Sequence, residues 1–97
     1  MASALDREFA KLNKVIKNYC RKGKEEEAIE AAVWAESYAE DFPQKADIEE
    51  AIELVRKVEK YIVAEGKEEY KQARDGVIKR LLGLLSKKDA GEEDEEG

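Results

Sequence analysis

The apolar side chains near the start of the chain recur at alternating intervals of four and three residues. Five positions share this spacing: Leu5, Phe9, Leu12, Ile16 and Tyr19. Side chains spaced in this way lie on one face of an α-helix, because the helix turns once in about 3.6 residues. Ser3 with Asp6 is typical of a capping box at a helix start, and Gly23 suits the left-handed conformation that ends a helix. The pattern therefore predicts a first helix over 4–22.

The second predicted helix, over 24–41, carries small side chains on the face that is expected to be buried. Its alanines share one arc of the helix with three aromatic side chains: Ala28, Ala31, Ala32, Ala35 and Ala39, with Trp34, Tyr38 and Phe42. We expect this face to be fully packed, because alanines let a neighbouring backbone approach closely and the aromatic rings fill the flanks. Ile29 and Val33 fall outside the arc and are predicted to form a second contact surface.

Two further helices complete the predicted array. Pro43 cannot continue a hydrogen-bonded helix, so the central loop is placed there. Asp47 with Glu50 indicates another capping box, and apolar spacing predicts helices over 47–65 and 67–86. No segment alternates as a half-buried strand would, so the predicted class is all-α. The expected architecture is an antiparallel array of four helices, built from two helix-turn-helix hairpins.

The predicted domain organisation is one helical domain over 1–88 followed by a short tail over 89–97. The tail carries six acidic residues and no large apolar residue, which predicts disorder. No apolar run approaches the roughly 18 residues of a membrane span, so the expected location is the cytoplasm.

The residue types present exclude two familiar kinds of site. The chain has no histidine and one cysteine, Cys20, so neither a Cys/His zinc site nor a Cys-His nucleophile is available. Cys20 follows Ile16 by one turn and is expected to be a small buried apolar residue. We predict no catalytic residue, no cofactor and no metal site, and hence no enzyme.

Charge divides the chain into blocks of opposite sign. Residues 1–24 carry +5, residues 25–54 carry −10, residues 55–88 carry +5 and the last nine carry −6. One explanation is that the basic first and fourth helices lie against the acidic middle, forming modest surface ion pairs. The other is a surface that binds a polyanion such as RNA or DNA. Its candidate residues are Lys11, Lys14, Lys17, Arg21, Lys22, Lys79 and Arg80.

The fourth helix carries a wide apolar arc beside lysines over 76–88. A helix of this kind can dock into a partner or lie on an anionic membrane, but burial in the bundle is the simpler explanation and makes membrane-surface binding the weaker expectation. Part of the arc is expected to stay exposed and to contact a protein partner or a second copy. Its predicted contact residues are Ile78, Leu82 and Leu85, which join Ile29 and Val33.

The first hairpin resembles known helical repeats over about residues 12–43. The spacing of its large and small residues, Leu12, Val15, Tyr19, Gly23, Ala28, Ala32 and Ala35, resembles a tetratricopeptide repeat, and VIKNYCRKGKEEEAIEA resembles the middle of a pentatricopeptide repeat. The motif GKEE recurs at 66–69. The resemblance implies a helix-turn-helix fold, and in its pentatricopeptide form it implies RNA as a ligand. Two units are fewer than such arrays usually contain.

Three interpretations of function follow from the sequence. The favoured one is a small non-catalytic protein interaction module. The second is a nucleic-acid-binding accessory protein that uses the basic faces of the first and fourth helices, with the acidic tail competing for them. The third is a designed helical domain without a natural ligand.

Overall fold

A computed structural model describes residues 3–90 and confirms the predicted all-α class. Four α-helices follow one another: α1 (Ala4–Tyr19), α2 (Glu25–Asp41), α3 (Lys45–Lys57) and α4 (Lys67–Ala90). Consecutive helices run antiparallel; short turns at 20–24 and 42–44 join the first three, and a longer connection at 58–66 joins α3 to α4. The acidic tail predicted over 89–97 lies outside the described residues from 91 onward.

The boundaries of α1 follow from local chemistry at its start and from a distant contact at its end. The Asp6 N–H donates to Ser3 Oγ at 3.1 Å, and the Ser3 N–H donates to Asp6 Oδ2 at 3.0 Å, which is the predicted capping box. Gly23 has a φ of 88°, as the predicted turn requires. The helix nevertheless ends at Tyr19 rather than at residue 22, because the next residues pair with another segment.

That pairing is a short bridge between the two turns at one end of the bundle. The Arg21 N–H donates to the Tyr61 carbonyl at 2.7 Å, and the Val63 N–H donates to the Tyr19 carbonyl at 2.9 Å. The backbone of Ile62 and Val63 is extended, as these bonds require. The third helix predicted over 47–65 is therefore interrupted: α3 ends at Lys57, and two short 3-10 turns, Val58–Tyr61 and Ala64–Gly66, lead into α4.

The other end of α3 also differs from the prediction. Its N-cap is Gln44, whose side chain makes no capping bond, and Asp47 lies inside the first turn. A carboxylate in the first turn is stabilised by the positive end of the helix dipole, so Asp47 supports α3 from within the helix. The fourth helix is longer than predicted, since α4 runs past Ser86 to Ala90.

Packing closes the four helices around one core. Helices α1 and α3 each contact both α2 and α4, so each helix has two neighbours. The large side chains that are fully buried come from α1, α3, α4 and the α3–α4 connection: Phe9, Leu12, Ile16, Ile48, Val55, Val58, Ile62, Tyr70, Val77 and Leu81. Helix α2 contributes only alanines to the core. The Tyr70 hydroxyl is buried and donates to the Val55 carbonyl.

Among the residues that the structure describes, no helix combines the length and the apolar content that crossing a bilayer requires.

Candidate functional site

Most of the large apolar side chains that remain exposed belong to one helix. Within residues 3–90 five such side chains are exposed, and four of them lie on α2 or at its C-cap: Ile29, Val33, Trp34 and Phe42. Val33 is 54% exposed and Trp34 is 47% exposed. The fifth, Leu82, lies alone on α4 and is 50% exposed. Exposed apolar residues that cluster on one face often mark a binding surface.

The exposure of the aromatic residues corrects the sequence-based expectation. Trp34 and Phe42 were expected to fill the flanks of a packed face, but both are about half exposed, and Tyr38 is half-buried. The alanines of α2 account for the difference. They are buried against neighbouring helices, and the rings lie at the edge of this buried arc, where they stay partly exposed. The rings contact one another instead, with centroids 5.9 Å apart for Trp34–Tyr38 and 5.7 Å apart for Tyr38–Phe42.

Ile29 and Val33 lie where the sequence predicted, outside the buried arc. They form part of the floor of a shallow depression of about 440 Å³, whose remaining lining residues are Glu25, Glu26 and Glu30. We use the name α2 face for the set Ile29, Val33, Trp34, Tyr38 and Phe42. This face is apolar but is surrounded by carboxylates.

The contact residues predicted on α4 do not form one exposed surface. Ile78 is buried in the core and Leu85 packs half-buried against it, whereas Leu82 is exposed. The helical bundle uses most of the wide apolar arc for its own packing. What remains on α4 is a single leucine rather than a surface.

The structure separates the seven cations proposed for polyanion binding into two groups. All seven are exposed. Lys79 and Arg80 line a groove of about 920 Å³ between the start of α1 and the second half of α4, and two carboxylates, Glu8 and Glu40, line the same groove. The other five follow the outer side of α1 and the turn after it: Lys11, Lys14, Lys17, Arg21 and Lys22. Lys11 lies 3.9 Å from Glu8 across one helical turn.

The aromatic side chain nearest in sequence to this basic stretch is engaged elsewhere. The Tyr19 hydroxyl donates to Glu69 Oε1 at 2.6 Å, which ties the ring to α4. The exposed rings of the described chain lie on α2, within the acidic block. Stacking on an aromatic ring is a common means of holding an unpaired base, and the described basic faces carry no exposed ring for it.

Three carboxyl groups that the sequence analysis did not single out come together between α1 and α2. Oxygens of Asp6, Glu36 and Glu40 all lie within 4.8 Å of one another. A hydrogen bond shared with Asp6, followed by burial and nearby negative charges, raises the pKa of Glu40 to about 7. The same hydrogen bond lowers the pKa of Asp6, and burial followed by the Asp6 charge raises the pKa of Glu36. Three oxygens at this spacing could also surround a cation, and a proton held by Glu40 below about pH 7 would relieve part of their repulsion.

This carboxyl cluster predicts a pH dependence of stability. The pKa of Glu40 is about 7 in the folded chain against an ordinary value of 4.5, so folding favours the protonated carboxyl. The stabilisation is complete below about pH 4.5 and is lost as the pH rises to about 7. The variant Glu40→Gln keeps a hydrogen-bonding side chain without the charge. We expect it to raise the melting temperature by a few degrees at pH 8 and to leave it nearly unchanged at pH 4.5.

The matched control is Glu53→Gln, which removes one exposed charge from α3. Melting curves from pH 4 to pH 8, followed by circular dichroism, should show a shallower decline for Glu40→Gln than for the control. Parallel curves for the two variants would contradict the shared proton.

Cys20 is unpaired and half-buried at the end of α1. Burial first, and then the charge of Glu25, raise the pKa of its thiol. A raised pKa leaves less of the nucleophilic thiolate near neutral pH, which fits a packing role.

Comparisons with protein-family models, with curated proteins and with solved structures find no match to this chain. The resemblance to tetratricopeptide and pentatricopeptide repeats therefore stays a prediction from sequence.

Proposed function

We propose that the chain is a non-catalytic interaction module that docks a protein partner through the α2 face. The observation that carries the proposal is the concentration of exposed large apolar side chains on α2, four of five in the described chain. Exposing them to water is unfavourable, and covering them with a partner would recover roughly 25 cal/mol for each Å² of apolar surface removed from water.

The row of rings on this face supports the same proposal. Binding energy in protein interfaces is concentrated in a few residues, and tryptophan and tyrosine are common among them. Trp34 and Tyr38 are adjacent, and Trp34 is half exposed before any partner binds. Because aromatic side chains have few rotatable bonds, ordering them on binding costs little conformational entropy.

Two features favour a different protein over a second copy or a nucleic acid. A symmetric dimer built on the α2 face would bring two acidic helices together, which like-charge repulsion opposes. The most exposed rings, Trp34 and Phe42, belong to α2 and its C-cap, whereas the candidate cations lie on α1, on the turn after it and on α4, so stacking on these rings and phosphate binding would need separate surfaces. The compartment we propose is the cytoplasm, whose reducing conditions suit a chain with an unpaired thiol.

The test compares a charge placed on the α2 face with the same charge placed elsewhere. Partners are captured from nuclease-treated native lysate, purified, and titrated by calorimetry against the wild type, Val33→Glu and Leu82→Glu. Both positions are about half exposed, so both variants should fold with unchanged circular dichroism. We expect Val33→Glu to weaken binding at least tenfold and Leu82→Glu to change it less than twofold.

Equal affinities for Val33→Glu and the wild type would contradict the proposal. So would capture that disappears on nuclease treatment, which would favour the nucleic-acid interpretation instead.

A further inference from the structure

The α2 face consists of two apolar rows, and an acidic strip of the same helix lies between them. Ile29 and Val33 form one row, and Trp34, Tyr38 and Phe42 form the other. Successive residues of an α-helix are about 100° apart, and this angle places Glu26, Glu30, Ser37 and Asp41 along a strip between the directions of the two rows. The three carboxylates of this strip are exposed.

No cation on α2 balances these carboxylates. The helix contains no lysine and no arginine. Lys24, just before the helix, lies 3.8 Å from Glu27, a residue outside the strip. The acidic strip is thus left without a counterion from its own helix.

The C-terminal end of α2 adds a second reason for a positive charge. The carbonyl groups at the end of a helix carry partial negative charge, and cations there are stabilising. The last turn of α2 instead carries Glu40 and Asp41, and it has no basic residue. Asp41 Oδ2 accepts a hydrogen bond from Ser37 Oγ at 3.2 Å but remains exposed. A cation supplied from outside would satisfy both the side chain and the helix end.

We propose that the segment docking on the α2 face is a basic amphipathic segment of a protein, with lysine or arginine residues along its centre and apolar residues on both sides. The inference rests on the proposed function and specifies its partner. The central cations would meet the acidic strip, while the flanking apolar residues would cover the two apolar rows.

The chemistry of lysine and arginine suits this arrangement in a further way. Both carry an apolar stem that can lie on Val33 or Trp34 while the charged head reaches a carboxylate. An arginine or lysine over the face of the Trp34 ring would also gain a cation–π interaction. An acidic segment would meet repulsion along the same strip.

The experiment uses the full chain and three synthetic helical peptides of equal length. They share one pattern of leucines and differ at the central row, which is lysine, glutamine or glutamate. Trp34 is the only tryptophan, so the shift of its fluorescence reports contact with the α2 face alone. We expect saturable binding of the lysine peptide with a blue shift. Binding should be at least tenfold weaker for the glutamine peptide and undetectable for the glutamate peptide.

Matched double variants distinguish binding to the carboxylates of the acidic strip from a general attraction of the lysine peptide to the negative net charge of the chain. E26Q/E30Q removes two charges from the strip, and E49Q/E53Q removes two charges from exposed positions of α3. The first should weaken binding of the lysine peptide at least fivefold and reduce its salt dependence, whereas the second should change affinity less than twofold. Circular dichroism confirms that both remain folded.

Three results would overturn the inference. They are equal weakening by the two double variants, equal affinity for the lysine and glutamine peptides, and a dimer of the chain that Val33→Glu dissociates. In the second case the proposed function survives, because the face still binds an apolar partner. The proposed function itself fails if the captured partner binds Val33→Glu as tightly as the wild type, or if capture disappears on nuclease treatment.

Discussion

Replacing Phe9 by alanine is expected to lower the free energy of unfolding by about 3–5 kcal/mol, the largest effect of any single change considered for this chain. Phe9 is fully buried in the hydrophobic core cluster and lies on the apolar stripe of α1. The substitution removes the transfer free energy of the ring and leaves a cavity that packed helices fill only in part. The total free energy of unfolding of a small domain is roughly 5–15 kcal/mol. If this chain lies near the lower end of that range, the substitution would remove most of its stability.

Urea denaturation followed by circular dichroism measures this effect. The control is Lys14→Ala, an exposed position on the same helix, which should change the free energy of unfolding by less than about 0.5 kcal/mol. A loss below about 1 kcal/mol for Phe9→Ala would mean that α1 is not packed into the bundle as described.

Gly66→Ala is expected to destabilise the chain by about 1–3 kcal/mol, because the added methyl group would overlap the Tyr19 ring. Gly66 is buried at the end of the second 3-10 turn, just before α4, and a Cβ atom there would lie within 3 Å of three Tyr19 carbons, Cβ, Cγ and Cδ1. The ring cannot move aside freely, since its hydroxyl is bonded to Glu69 at 2.6 Å and its backbone carbonyl accepts from Val63. The clash would therefore strain the junction that joins the two turns.

The chain provides a matched control in Gly83, which lies within α4 with open space around its Cα. Gly83→Ala should stabilise the chain by about 0.5–1 kcal/mol, because alanine favours the helix and nothing obstructs its methyl group. Thermal melts of the two variants should shift in opposite directions. A shift in the same direction for both would contradict the close contact between Gly66 and Tyr19.

The helices and most of the core could be predicted from the sequence, because a helix imposes its period on the apolar positions. The end of α3 could not. Val58 and Ile62 continue the helical spacing, and the local pattern therefore predicts an uninterrupted helix to residue 65. The chain leaves the α-helix because the backbone around Ile62 pairs with Tyr19 and Arg21, a contact between distant segments that periodicity does not encode.

The α2 face was predicted in part. Ile29 and Val33 were identified because they fall outside the alanine arc, which is a local property. The exposure of Trp34 and Phe42 was missed. Helical spacing gives the direction of a side chain around the helix axis, but it does not give the distance to a neighbouring helix. The row of buried alanines was the available signal, since the rings lie at the edge of the arc that these alanines define. The cluster of Asp6, Glu36 and Glu40 depends on tertiary packing between α1 and α2, and no spacing in the sequence indicates it.

Docking of a basic amphipathic segment on the α2 face is tested by titrating the isotope-labelled chain with the lysine peptide and following the backbone amide chemical shifts. We expect the largest shifts to fall within 25–42 and to disappear in Val33→Glu. Shifts concentrated along α1 or α4, with the amides of α2 unchanged, would contradict it.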